Sequence, residues 1–268
     1  TRFWNKIYYP VPVPKLDFSD GIPKSSATMT VIVTIVKSAE KVEKMFDTLE
    51  SYYLANKSDN LYFTLLGDCS GSQHQLEPWD EDIMEAGIKK TEQLNKKYGK
   101  EIFYFAYRKR IYSEGEEQWL GYERKRGALE HFNQLLLGKF SEENQEKYYY
   151  GHTFKNFNKK IKYVITLDQD TQLVLGTAFS LVGAMAHPMN RPVLNKEHTK
   201  VIDGYGIMQP KVSVDVESTN QSVFTQVYAG IGGYDVYNKV VPNFYQDVFK
   251  EGSFWGKGIY DLADNGPH

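Results

Sequence analysis

The sequence predicts an α/β fold in which a mostly parallel sheet carries helices on both faces. Short apolar runs, rich in β-branched and aromatic residues, alternate with segments of helical periodicity from residue 29 to 186. This alternation is typical of parallel sheets covered by helices. In addition, the apolar run 163–167 stops abruptly at two aspartates, and open α/β sheets bind their ligands at the carboxyl ends of such strands.

The elements are predicted one after another along the chain. The predicted strands are 29–36, 61–66, 102–107, 163–167 and 201–212, and the predicted helices are 39–56, 80–98, a helix that begins at 123–127, 176–186 and 221–229. Ser38 is predicted to cap the first helix. The polar stretch 138–160 is predicted to be an irregular insertion. Without an internal repeat, a single domain over 29–268 is predicted, after an extended, proline-rich surface segment over 1–28.

The composition excludes several classes of protein. The chain has 268 residues, of which 41% are hydrophobic, which is enough for a sizeable core. A formal net charge of −2 gives no electrostatic reason to expect nucleic acid or an acidic membrane surface as a partner. Cys69 is the sole cysteine, so no intrachain disulfide can form, which fits a cytosolic setting. The apolar runs are too short to span a bilayer, and the first residues do not form a signal peptide.

Asp168 and Asp170 are the strongest candidates for a ligand site. Two residues apart in extended chain, their side chains are expected to point to the same side. Like charges held close repel unless a cation lies beside them, and Mg²⁺ or Mn²⁺ suits one or two carboxylates plus phosphate oxygens. The pattern therefore predicts a metal–diphosphate site. The alternative is a plain Asx turn or helix N-cap, and an EF-hand is disfavoured because Leu173 and Phe179 replace the required Gly and Glu.

Three further segments are candidates for the site. Asp68 follows the second strand, where it could accept hydrogen bonds from a base or ribose, or simply form a turn. The basic segment 123–127 opens a helix, where a cation and backbone amides could hold a phosphate, or it is only a solvated face. The glycine–aromatic segment 252–258 could bring backbone close to a ligand, or be a connecting loop.

Together these elements resemble the GT-A fold of processive, inverting nucleotide-sugar glycosyltransferases. The chain is more similar still to the glycosyltransferase domain of cyclic β-1,2-glucan synthases. The strings that carry the resemblance are LDFSDGIP (16–23), GYERKRGALEHFNQLL (121–136), YVITLDQDTQL (163–173), LVGAMAHPMNRP (181–192), GYGIMQPKV (204–212) and YQDVFKEGSFWGKGIYD (245–261). They cover most of the chain, and jointly they are specific.

The resemblance implies a role for several residues. It places Asp68 against the uracil or ribose of the donor and Lys125 near the diphosphate, with Thr34 as a further donor contact. Asp168 and Asp170 would bind the diphosphate through Mg²⁺ or Mn²⁺. The loop beside the acceptor sugar would consist of Gly252, Ser253, Phe254 and Trp255.

The implied reaction is transfer of glucose from UDP-glucose to a growing β-1,2-glucan with inversion. The catalytic base is expected on the segment after the acceptor loop, beyond His268, since Asp247, Glu251 and Asp261 do not match its position. The chain is therefore expected to bind a nucleotide but to catalyse weakly or not at all. The resemblance also implies a soluble piece of a larger protein on the cytosolic face of the bacterial inner membrane, flanked by membrane spans and other carbohydrate-active domains.

Three alternatives stay open at this point. A non-catalytic nucleotide-sugar-binding module would keep the same binding residues. A carbohydrate phosphorylase or hydrolase domain would use carboxylates that flank a sugar cleft and would need no metal, but the strand–helix alternation and the basic helix opening argue against it. A scaffold or interaction domain would fit the near-neutral charge and the 20 tyrosines, although tyrosines also suit sugar stacking.

Overall fold

The computed structural model describes residues 13–196, 201–210 and 256–262. The elements below belong to one compact unit, formed by Lys15–Met208 and the chain from Gly256 onwards. Several predicted features lie outside the described residues. They are the helix 221–229, the acceptor loop Gly252, Ser253, Phe254 and Trp255, and the carboxylates Asp247 and Glu251.

The predicted α/β fold is confirmed. The helices are α1 (Ala39–Ala55), α2 (Pro78–Tyr98), α3 (Arg124–Leu136), α4 (Glu142–Tyr148) and α5 (Thr177–Ala186), with short 3₁₀ turns at Lys24–Ser26 and Pro188–Asn190. The strands are β1 (Thr28–Val36), β2 (Leu61–Cys69), β3 (Phe103–Arg108), β4 (Ile111–Ser113), β5 (Gln118–Leu120), β6 (Tyr149–His152), β7 (Tyr163–Leu167), β8 (Val193–Leu194), β9 (Val201–Asp203), β10 (Ile207–Met208) and β11 (Gly258–Asp261).

A seven-stranded sheet in the order β10-β11-β7-β1-β2-β3-β6 organises the unit. Strands β7, β1, β2 and β3 are parallel, so their carboxyl ends meet at one edge. Strand β11 runs antiparallel to β7, with Gly258 opposite Thr166. Its amino end therefore reaches that same edge, which we call the carboxyl edge of the sheet.

Both faces of the sheet are buried, which explains why the strands are apolar almost without interruption. Ile32 of β1 packs on the face covered by α1, α2 and α5, where Phe46 lies. The neighbouring Val31 points to the opposite face, where it packs with Phe132 of α3. Alternate side chains of one strand therefore pack into two separate apolar layers.

Helix α1 begins as predicted, since the Ser38 side chain accepts a hydrogen bond from the backbone amide of Lys41 at 3.3 Å. Helix α2 begins with a capping box between Glu77 and Asp80. It ends at Gly99 in the left-handed conformation, with φ +64°. These local signals fix both helices to within a few residues of the bounds that the sequence predicts.

Three expectations about irregular segments are wrong. The stretch 138–160 is not an irregular insertion: Ser141 caps α4, and β6 extends the sheet antiparallel to β3, with Tyr149 buried. The predicted strand 201–212 is broken after β9, because Gly204 has φ +73° and an added Cβ would overlap the Arg191 carbonyl. Residues 1–28 were expected to lie on the surface, but Ile22 is buried in the core.

Helix α2 packs against β3 through Gly87, and this contact carries a testable prediction. A Cβ at Gly87 would overlap the Phe105 ring, whereas a Cβ at the turn residue Gly115 would meet nothing within 4 Å. We expect Gly87→Ala to lower the free energy of unfolding by about 1–3 kcal/mol through overpacking. Chemical denaturation beside Gly115→Ala measures this, because both changes restrict the unfolded chain alike. Equal stability of the two variants would contradict the packing described here.

Candidate functional site

A cleft opens at the carboxyl edge of the sheet, between the ends of β1 and β7. Its volume is about 660 Å³. The residues that line it are Val33, Thr34, Ile35, Lys37, Lys41, Asp168, Gln169 and Asp170. The sequence-predicted pair Asp168 and Asp170 thus lies at the mouth where open α/β sheets bind ligands.

The two aspartates share one cation. The ammonium of Lys257 lies 3.3 Å from Oδ2 of Asp168 and 3.5 Å from Oδ1 of Asp170. The Asp168 side chain is 33% exposed and that of Asp170 is 75% exposed. A turn in which the Thr171 amide donates to the Asp168 carbonyl at 3.1 Å brings them together. The aspartates thus form a turn whose carboxylates also bind the Lys257 ammonium, and their role in metal binding stays a prediction.

Lys125 completes this cluster from the start of α3. Its Nζ donates to Oδ1 of Asp168 and, at 2.7 Å, to the carbonyl of Gly256. Gly256 has φ +77°, and an added Cβ would come within 3.1 Å of the Lys125 ammonium. The positive φ favours glycine at 256, and a side chain there would also crowd the Lys125 ammonium. The same carbonyl accepts a hydrogen bond from the Thr166 hydroxyl at 3.2 Å.

Asp68 lies in a buried ion pair. Its Oδ2 is 3.2 Å from Nη1 of Arg108, and its Oδ1 accepts the backbone amide of Cys69 at 3.1 Å. Gly121 lies directly against the carboxylate, because an added Cβ there would overlap it. Burial raises the pKa of Asp68 above its ordinary value, although Arg108 pulls it down. The proposed contact of Asp68 with a nucleotide stays a prediction.

Arg108 links Asp68 to the segment that presents Lys125. Its guanidinium donates to the Tyr122 carbonyl at 2.8 Å and to the Arg124 carbonyl at 3.0 Å. Glu123, which lies between the two contacted residues, and Arg124 itself have φ of +48° and +47°. Consecutive non-glycine residues in this region are costly and persist only where the surroundings hold them. The Asp68–Arg108 pair supplies that support and so helps to position Lys125.

Thr34 lines the cleft, where a residue that contacts the nucleotide-sugar should lie. Its hydrogen-bond partner, Gln169, was not predicted from the sequence. The Thr34 hydroxyl donates to Oε1 of Gln169 at 2.8 Å, and the Lys41 ammonium donates to the same oxygen at 2.8 Å. Sequence reasoning missed Gln169, Lys41 and Lys257. A signal existed for the last of these, since Lys257 stands between two glycines of the glycine–aromatic segment.

The carboxylate oxygens of Asp168 and Asp170 are suitable ligands for a small divalent cation, provided that a diphosphate supplies further oxygens. Within the described parts of the chain, no group of three or more His, Cys, Asp or Glu side chains could bind a metal by itself. Two carboxylates are nevertheless the usual protein share for Mg²⁺ when phosphate oxygens supply further ligands. The Lys257 ammonium within 3.5 Å of both aspartates shows that this place accepts a cation.

Asp261 lies away from the cleft. It pairs with Tyr163 at the amino end of β7, is buried, and forms an ion pair with Lys162. It is therefore at the opposite end of the strands from Asp168, in agreement with the expectation that it does not match a catalytic base.

One sequence comparison decides the relationship of the chain. No family model matches it. Over 250 residues it is 36% identical to the cyclic β-(1,2)-glucan synthase NdvB of Rhizobium meliloti (strain 1021). The chain is therefore related in sequence to one part of this glucan synthase. The match spans 92% of the domain but only 9% of that relative.

The comparison confirms the resemblance that the sequence strings indicate. The mostly parallel seven-stranded sheet of the chain, flanked by helices, is compatible with a GT-A-like fold. Across the described residues, none of the helices combines the length and the apolar character needed to cross a bilayer.

Proposed function

We propose that the domain is a glycosyltransferase that takes glucose from UDP-glucose and adds it with inversion to a β-1,2-glucan acceptor. One observation carries the proposal. Asp168 and Asp170 line a cleft at the carboxyl edge of the sheet, and the ammonium groups of Lys125 and Lys257 bind these carboxylates. Similarity to a glucan synthase supports the class of reaction. The donor sugar, the linkage and inversion come from the family resemblance.

The diphosphate would bind between the aspartates and Lys125. Asp168 and Asp170 would hold Mg²⁺ or Mn²⁺, which supplies charge stabilisation for the leaving diphosphate when bound. Lys125 lies beside Asp168 at the start of α3. Its ammonium would face the negative charge that develops on the leaving oxygen, at no cost of reorganisation. Thr34 and Gln169 would border the donor on the β1 side of the cleft.

The acceptor side of the proposal rests on the family resemblance alone. Gly252, Ser253, Phe254 and Trp255 would line the acceptor sugar. An inverting transfer also needs a carboxylate that takes the proton of the acceptor hydroxyl. Among the described carboxylates, Asp261 is excluded from this role by its buried ion pair at the opposite end of β7.

Titration of UDP with and without Mn²⁺ tests the proposal. We expect Mn²⁺ to tighten UDP binding, and Asp170→Asn to weaken it in Mn²⁺ by about tenfold, the loss of one charged ligand. Asp59→Asn is a matched control, since Asp59 precedes β2 at the opposite edge and its side chain is 80% exposed. Isothermal titration calorimetry gives both affinities.

The same titration separates the alternatives. A carbohydrate phosphorylase or hydrolase would show no Mn²⁺-dependent binding of UDP, and that result would overturn the proposal. A non-catalytic binding module would bind UDP in the same way but would never turn over UDP-glucose. Release of UDP from UDP-glucose that depends on added β-1,2-glucan, even if it is slow, would identify a transferase and contradict this alternative.

A further inference from the structure

Lys257 occupies the place at which the proposed metal would bind. Its ammonium lies 3.3 Å from one aspartate and 3.5 Å from the other, and its side chain is only 21% exposed. Lys257 directly precedes β11, which runs antiparallel to β7, and the carbonyl of the adjacent Gly256 accepts hydrogen bonds from Lys125 and Thr166. The backbone is thus held in place, while four methylene groups leave the ammonium free to change partners.

We propose that Lys257 is an internal counter-cation that couples metal binding to nucleotide binding. This inference rests on the proposed function. In the nucleotide-free domain, Lys257 neutralises Asp168 and Asp170. When a divalent cation arrives with a diphosphate, the Lys257 ammonium leaves the aspartates and binds a phosphate oxygen.

The charges of the cluster explain the coupling. Lys125, Lys257, Asp168 and Asp170 carry two positive and two negative charges, so the four groups are neutral together. A divalent cation alone would make the cluster strongly positive and would have to displace an ammonium that already binds both carboxylates. A diphosphate adds negative charge and offers that ammonium new acceptors. Metal alone should therefore bind weakly, and metal with diphosphate tightly.

Lys257→Met tests this inference because it should change two affinities in opposite directions. Without nucleotide, we expect Mn²⁺ to bind the variant about five- to tenfold tighter, since one competing charge at roughly 4 Å is removed. With Mn²⁺ at saturation, we expect UDP to bind about tenfold weaker, since one charged hydrogen bond is lost. Electron paramagnetic resonance of free Mn²⁺ measures the first affinity, and calorimetry measures the second.

Two further variants separate charge from shape. Lys257→Arg keeps the charge and should keep the weak Mn²⁺ binding of the native domain. Lys100→Met removes a lysine that pairs with Asp59 before β3, at the opposite edge, and should change neither affinity. General damage to the fold would weaken both ligands, so opposite signs are diagnostic.

The Mn²⁺ titration without nucleotide decides the inference by itself. Mn²⁺ affinity in Lys257→Met that is equal to or weaker than in the native domain, including no binding in either, would overturn it. Failure of the proposed function has a different signature. In that case the native domain would not bind UDP even with Mn²⁺ present, whatever the effect of Lys257→Met on Mn²⁺ alone.

Discussion

Replacement of Arg108 by methionine is expected to lower the free energy of unfolding by about 3–5 kcal/mol, the usual cost of breaking a buried ion pair. Arg108 is almost completely buried and is paired with Asp68. Without it, a buried carboxylate loses its counter-ion, and the carbonyls of Tyr122 and Arg124 lose their donor. Equilibrium denaturation in urea near neutral pH measures the loss.

The double variant Asp68→Asn/Arg108→Met identifies the cause. If the unpaired carboxylate dominates, the double variant should be more stable than Arg108→Met alone, because no charge is then left buried without a partner. A double variant that is only as stable as Arg108→Met would show instead that the lost hydrogen bonds to the 122–124 segment dominate.

The pH dependence of Arg108→Met gives a second check. Burial already holds the pKa of Asp68 above its ordinary value, and Arg108 is the main group that opposes this. Its removal should raise the pKa further. A carboxyl with a raised pKa favours the folded state below its unfolded pKa of about 4, and this contribution is lost as the pH rises through the folded value. The difference in the free energy of unfolding between the native chain and Arg108→Met should therefore become smaller towards pH 4 and larger towards pH 8.

The order of elements could be predicted from sequence because local periodicity determines it. Helix α1 buries Val42, Phe46 and Leu49 at helical spacing, and Ser38 caps it. The parallel strands are buried on both faces, so their apolar runs are continuous and easy to recognise. The place of Asp168 at the carboxyl edge follows from this order, since a buried strand ends immediately before it.

The partners of the site residues could not be predicted, because they come from distant parts of the chain. Lys257 reaches Asp168 only because β11 returns antiparallel beside β7. No local pattern specifies that pairing. Asp68 is buried because Arg108 and Gly121, both far away in sequence, pack against its carboxylate. The strand β6 was missed for a similar reason: pairing with β3, not periodicity, makes it a strand.

Replacement of Lys125 by methionine is expected to weaken UDP binding in Mn²⁺ about 100-fold, since a hydrogen bond between two charged groups is worth up to about 3 kcal/mol. Lys125 is the cation that the sheet edge, the strained 123–124 segment and Gly256 jointly position beside Asp168. Methionine keeps the length and most of the apolar surface of the side chain. Because Lys125 is about one-third exposed, the fold should be little affected, and a melting temperature close to that of the native domain verifies this.

Comparison of UDP with uridine shows which part of the nucleotide Lys125 contacts. If its ammonium faces the diphosphate, Lys125→Met should lose affinity for UDP and leave the weak binding of uridine unchanged. Lys41→Met is the matched variant on the α1 side of the cleft, where Lys41 contacts Gln169 instead of an aspartate. A loss of UDP affinity in Lys41→Met with none in Lys125→Met would place the diphosphate on the α1 side. That result would contradict the assignment of the start of α3 as the phosphate-binding element.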